Sequence, residues 1–267
     1  MQEWEYHPPP DIDATMTESL RNFPREPRML IYAIRSLAAM LLRGWMRLYH
    51  RLKIDGKEHL PDRGSYVLVC NHTSHLDTLC LLSSVPLKKI HRTFPAAAAD
   101  YFFSSLPRSA VSAILINALP FDRKVKGAES LAVCSKLLDN EGNVLIIFPE
   151  GTRTTSGEMG RFRSGIGRLV VGTDLAVLPC HLAGGVNAWP KGKAFPRPHR
   201  LRLRIGTART YAHLAKTSES VGEICRDLQE SVAELGGSTH DDLRLEARIP
   251  ESFATSLQLA REGWCYG

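Results

Sequence analysis

Three short apolar runs constrain this chain more than anything else in it: YVLVC at residues 66–70, VLIIF at 144–148 and AVLPCH at 176–181. Each is rich in Val, Leu or Ile and carries no carboxylate, ammonium or guanidinium group. That length suits a strand buried on both faces, whereas a buried helix needs about 10 residues or more. Helical patterns lie between the runs. Residues 75–84 read as a helix halted by Pro86, and residues 128–139 place Leu131, Cys134, Leu137 and Leu138 on one face with Gly142 just beyond. Weaker signals add strands within 90–98 and 118–121, helices at 109–116 and 165–172, and a half-exposed strand at 201–205 where apolar and basic residues alternate. A helix over 218–235 is expected to end at Gly236 and Gly237. This alternation specifies an α/β layer fold.

The ends differ from this body. Residues 1–28 are polar, with prolines at 8, 9, 10, 24 and 27, and read as an extended arm. Residues 29–50 form an amphipathic pattern, with Leu30, Ile34, Leu37, Leu41, Trp45 and Leu48 on one stripe and Arg35, Ser36, Arg43 and Arg47 opposite. The longest uncharged apolar stretch there is well short of the ~20 residues a spanning helix needs, so the helix is expected to lie along a membrane; packing on its own domain is the alternative. Residues 51–237 make the main domain and 238–267 a polar tail.

Composition excludes some functions. Apolar residues at 43% and charged residues at 23% are ordinary globular values. A net charge of +6 favours anionic partners, but no basic block interleaved with stacking aromatics marks a nucleic-acid groove. The six cysteines stand apart from one another, which fits reduced thiols in a cytosolic compartment and neither a zinc ribbon nor a redox pair. The acidic, then proline-rich amino terminus does not read as a secretory signal.

The chemistry-bearing segments follow the buried strands. After the first comes Asn71-His72-Thr73-Ser74-His75-Leu76-Asp77. Residues five apart on one helix differ by about 140° and cannot meet, so His72 must precede the helix. With Ser74 as N-cap, Asp77 becomes the third helical residue and can reach back to His72, giving the orienter and base of a catalytic triad without its nucleophile. A simple capping box, or a metal site on His72, His75 and Asp77, are the competing meanings. After the second strand, Phe148-Pro149-Glu150-Gly151-Thr152-Arg153 gathers a carboxylate, a hydroxyl and a guanidinium in one turn able to meet a phosphate. Leu119-Pro120-Phe121-Asp122-Arg123, with Lys124 and Lys126, adds further positive charge.

In order and spacing, these segments resemble the motif blocks of the lysophospholipid acyltransferase family, also called glycerolipid acyltransferases. His72 and Asp77, with Asn71 and Ser74, match the first block; residues 121–123 the second; residues 148–153 the third; Val177-Leu178-Pro179-Cys180 the fourth. Asn117, where the family often has glycine, and Cys180 are departures. The resemblance covers roughly residues 50–210. It implies an α/β domain with a mixed β-sheet flanked by helices, preceded by a membrane-meeting helix.

It further implies that His72 deprotonates an acceptor hydroxyl, that Asp77 orients it, and that no metal or other cofactor is needed. Substrate binding falls to Asn71, Ser74, Arg123, Lys124, Glu150, Gly151, Thr152 and Arg153, with the arginines on the acceptor phosphate and Glu150 organising a guanidinium or the glycerol hydroxyls. The partners implied are acyl-CoA or acyl carrier protein as donor, a lysophospholipid acceptor and a membrane surface on its cytoplasmic face. Rival expectations are acylation of glycerol 3-phosphate or another lyso-lipid, a non-catalytic lipid-binding module, and a metal-assisted hydrolase.

Overall fold

The computed structural model describes residues 29–98, 119–121, 127–154, 157–190, 192–193 and 195–247. The arm at 1–28, the helix expected at 109–116, and residues 248–267 lie outside them. The elements run α1 (Met29–Tyr49), β1 (Lys53–Asp55), β2 (Tyr66–Cys70), α2 (Asp77–Ser84), β3 (Thr93–Ala98), β4 (Leu119–Phe121), α3 (Gly127–Leu138), β5 (Val144–Ile147), α4 (Gly165–Val170), β6 (Ala176–Ala183), α5 (Gly185–Ala188), β7 (Arg202–Ile205) and α6 (Ser218–Ala247). Two 3₁₀ turns, Lys57–His59 and Leu87–Arg92, complete the order.

The strands form one mixed sheet in the order β1-β7-β6-β2-β5-β3-β4. β2 lies parallel to both β5 and β6, in register from Tyr66 opposite Val144 and Ala176. β7 runs antiparallel to β6, and β1 follows β7. Every residue of β2 is fully buried, as its unbroken apolar run requires of a central strand. The pleat divides that run between two cores. Leu68 and Cys70 join Leu76, Leu81, Ile146, Leu178 and Met46 of α1 on one face. Val67 and Val69 join residues of α3, α4 and α6 on the other, among them Leu137, Ile166, Ile224 and Leu228. Because β2, β5 and β6 are parallel neighbours, their carboxyl ends open on one edge, where ligands collect in sheets of this kind.

Two boundaries differ from expectation. α2 begins at Asp77 and not near His75. α6 does not end at Gly236 and Gly237 but continues to Ala247, into the supposed tail. A Cβ on Gly236 would come 2.8 Å from Nε2 of His181, so this glycine serves the close passage of α6 over β6. β1 and α5 carry too little pattern to be anticipated: one is a charged three-residue edge strand, the other a single turn.

α1 also corrects the sequence. Its arginine arc, opposite the apolar stripe, turns partly inward and does not face solvent throughout: Arg35 is buried, and Arg43 donates to the carbonyl of Val85. Ser36 Oγ meets His91 Nε2 at 3.1 Å. Met46 and Ala39 are buried on the same side. Of the apolar stripe, Ile34, Leu37, Leu41 and Leu48 are exposed, as is Met40, whereas Trp45 packs against the core. No helix among the described residues is long and apolar enough to cross a membrane.

Candidate active site

The site begins where β2 runs out. Asn71 fastens that strand end to β6, its Nδ2 donating to Leu182 O at 3.1 Å and its Oδ1 accepting from Leu182 N at 2.8 Å. The chain then curls around Asp77, which is wholly buried. One carboxylate oxygen, Oδ2, accepts from Thr73 N at 2.7 Å, Ser74 N at 2.9 Å and His72 Nδ1 at 2.9 Å. A carboxylate out of water needs such donors. Because Oδ2 already serves two amides, it is the acceptor toward the ring as well. Nδ1 therefore carries the proton and Nε2 is left as the basic nitrogen. The ring stacks on Phe148, centroids 4.2 Å apart, and the side chain keeps 15% exposure.

Ser74 does not cap α2. Leu76 precedes the helix without any side-chain cap, and Asp77 is its first residue, not its third. The carboxylate still reaches back because residues 73 and 74 wrap around it. Ser74 Oγ instead accepts from Leu76 N at 3.1 Å and donates to Trp189 O at 2.8 Å. Asn71 and Ser74, expected at the substrate, are both buried and spend these bonds bracing the loop.

The turn after β5 clamps His72 from the other side. Gly151 takes a φ of +75°, which favours glycine, and its N–H closes onto Phe148 O at 3.0 Å. Glu150 Oε1 accepts from His72 N at 2.6 Å and its Oε2 from Gly160 N at 2.7 Å. Thr154 N donates to His72 O at 3.0 Å. Both polar groups of the His72 backbone are thus held by this turn. Burial raises the Glu150 carboxyl above its usual range, against the pull of those two amides. Among the described residues, its hydrogen bonds are with backbone amides and not with a guanidinium.

Arg153 donates from Nη1 to His75 Nε2, and the His75 ring lies tilted on Trp189 with centroids 4.9 Å apart. Burial, then the charge of Arg153, lower the His75 pKa to about 4, leaving a neutral imidazole that accepts. The three side chains of the metal alternative thus part ways, His72 and Asp77 bonding each other while His75 faces Arg153. Thr152 is exposed and Gly151 half-buried. Arg123 and Lys124 lie outside the described residues.

The sequence concealed Gly185 and Trp189. A Cβ on Gly185 would stand 2.7 Å from Thr73 Oγ1 and 3.0 Å from Ser74 Cβ, so only glycine lets α5 approach the histidine loop. The Gly184-Gly185 pair just past a strand is the one clue to it.

Residues 51–183 match the family model described as Acyltransferase. The chain belongs to this acyltransferase family. Among its relatives is the chloroplastic 1-acyl-sn-glycerol-3-phosphate acyltransferase LPAT1 of Arabidopsis thaliana, 27% identical over 189 residues, which are 70% of this chain and 49% of that protein. The 1-acyl-sn-glycerol-3-phosphate acyltransferase alpha of Mus musculus is 28% identical over 160 residues, 58% of this chain and 53% of the mouse protein. The chain spans about half the length of these curated relatives. The crystal structure of the 1-acyl-sn-glycerophosphate (LPA) acyltransferase PlsC from Thermotoga maritima superposes with a TM-score of 0.57 at 21% identity, over 76% of this acyltransferase-family chain and 79% of that one. The two share a fold.

Proposed function

We propose that this chain moves an acyl group from a thioester onto the free hydroxyl of 1-acyl-glycerol-3-phosphate, giving phosphatidic acid. The observation that carries the proposal is the pinning of His72 by Asp77, which leaves Nε2 basic at the carboxyl edge of the sheet. In the proposed step, Nε2 takes the proton of the acceptor hydroxyl as its oxygen attacks the thioester carbonyl. The tetrahedral adduct collapses with cleavage of the carbon–sulfur bond, and the thiolate leaves with the proton from the imidazolium. Asp77 steadies that charge without accepting the proton. No acyl-enzyme is needed because the nucleophile arrives with the acceptor.

The names of the relatives support the acceptor, and Arg153 supplies fork geometry for its phosphate. Arg123 and Lys124 join it on the motif match. The exposed apolar stripe of α1 supports peripheral attachment to the cytoplasmic face of a membrane, where a lysolipid can enter from the bilayer. A catalytic base argues against a purely lipid-binding role.

The test is incubation of purified protein with labelled lyso-acceptors and glycerol 3-phosphate, each with acyl-CoA and with acylated carrier protein, reading the product by mass. Phosphatidic acid from 1-acyl-glycerol-3-phosphate is expected. Product from another acceptor alone would reassign the substrate, and none from any pair would reject the reaction.

A further inference from the structure

A second basic surface adjoins the turn at 148–154, and its lining does not include Arg153, His75 or Trp189. It is an open groove of about 720 Å³ whose walls include Arg161, Arg163, Ser164, Thr152 and Thr154, with Glu150 at its base. Arg161 and Arg163 are exposed, and neither forms an ion pair with a described carboxylate. The position of Arg163 is set by its backbone, which donates to Pro149 O at 3.0 Å, and by Gly151, where a Cβ would meet Arg163 Nε at 2.8 Å. The Glu150 carboxyl bordering the groove accepts from the amides of His72 and Gly160 and pairs with neither arginine.

The groove also communicates directly with the base. Thr154, one of its walls, donates its N–H to the carbonyl of His72, and Glu150 holds the N–H of the same residue. An occupant would therefore end within a residue of the acyl-transfer centre. Two guanidinia flanked by three hydroxyls suit phosphate oxygens, and the volume exceeds what one phosphate group requires.

We propose that the groove walled by Arg161 and Arg163 seats the phosphate-bearing pantetheine arm of the thioester donor, separately from the acceptor phosphate at Arg153. This rests on the acyl-transfer reaction above, in which two phosphate-bearing substrates meet at one histidine and need two anion seats. The phosphopantetheine chemistry is common to coenzyme A and to acyl carrier protein, so both donors enter the test.

The experiment compares wild type, the Arg161→Ala/Arg163→Ala double variant and Arg153→Ala. Binding of unacylated coenzyme A and of holo acyl carrier protein is measured by calorimetry, and KM for acyl donor and lyso-acceptor is measured separately. The double variant is expected to weaken one donor, in binding and in KM, by at least about tenfold, as loss of charge-assisted phosphate contacts implies. Its acceptor KM should stay within about twofold, and Arg→Lys at both positions should restore part of the donor affinity. Loss of coenzyme A binding identifies the nucleotide carrier; loss of carrier-protein binding alone identifies the protein carrier. Unchanged affinity for both donors, or a rise confined to acceptor KM, would overturn the assignment. If the double variant loses donor binding while wild type acylates none of the acceptors, the proposed reaction fails and the groove stands.

Discussion

His72 and His75 sit three residues apart and meet opposite electrostatic surroundings. His72 donates a hydrogen bond from Nδ1 to a buried carboxylate that two amides already hold, which leaves its Nε2 without a proton. His75 gives Nε2 to a guanidinium, and burial together with that charge lowers its pKa to about 4. One ring is held by a carboxylate, and the other stays neutral beside a guanidinium. Residue type alone does not distinguish the two histidines; their spacing to Asp77 and the partner each ring meets do.

The sharpest way to break this contrast is at His72. Folded His72→Ala protein should lose at least ~10³-fold in transfer rate, and Asp77→Asn ~10² to 10⁴-fold, the range of general-base catalysis with a missing orienter. Rates within tenfold of wild type in either variant, with an unchanged circular dichroism spectrum, would remove the distinction.

Next comes the clamp. Glu150→Gln keeps the shape of the side chain but faces one of the two amides with an NH₂ group. An unpaired buried donor costs about 1–3 kcal/mol, so we expect a lowered melting temperature and a ~10 to 100-fold slower reaction. The deficit should lie in kcat, because the clamp acts on the histidine backbone and not on a substrate group.

At His75 the effect is smaller and differs in kind. His75→Ala should raise acceptor KM several-fold through a less well-held Arg153 while kcat changes little; His75→Gln, which keeps an acceptor, should recover most of it. A rate loss matching that of His72→Ala would merge the two histidines into one function. Stability gives an independent check. Because its folded pKa of about 4 lies below its ordinary value near 6.5, the unfolded chain binds the extra proton between those pH values. Stability therefore falls as the pH drops through that window, and His75→Gln should lose less stability from pH 7 to 4.5 than wild type does.

The smallest catalytic effect is expected in α1. Leu37→Glu with Leu41→Glu alters two exposed residues, so flotation with anionic liposomes should fall while activity on a short, water-soluble acceptor stays within about twofold. Loss of folding in this variant would show that the stripe is a packing face.

The central fold was legible in the sequence because continuous apolar runs such as 66–70 and 144–147 have few meanings. The direction of α1 was not, since amphipathic spacing shows two faces without saying which one the domain takes. The helix over Gly236 was also hidden, because the reason for that glycine is His181, far away in sequence. In the site, the reach from Asp77 to His72 followed from helix geometry, although the capping scheme drawn for it did not hold. The uses of Glu150, Ser74 and Gly185 depend on partners brought together only by the sheet, and no local spacing encodes those.

The most direct measurement of the contrast is ¹⁵N NMR of selectively labelled imidazole rings at mildly alkaline pH, with His72 assigned by substitution. His72 should show the Nδ1–H tautomer with Nε2 bare, and Asp77→Asn should abolish that preference. A His72 ring protonated on Nε2 in the wild-type protein would contradict its role as the base.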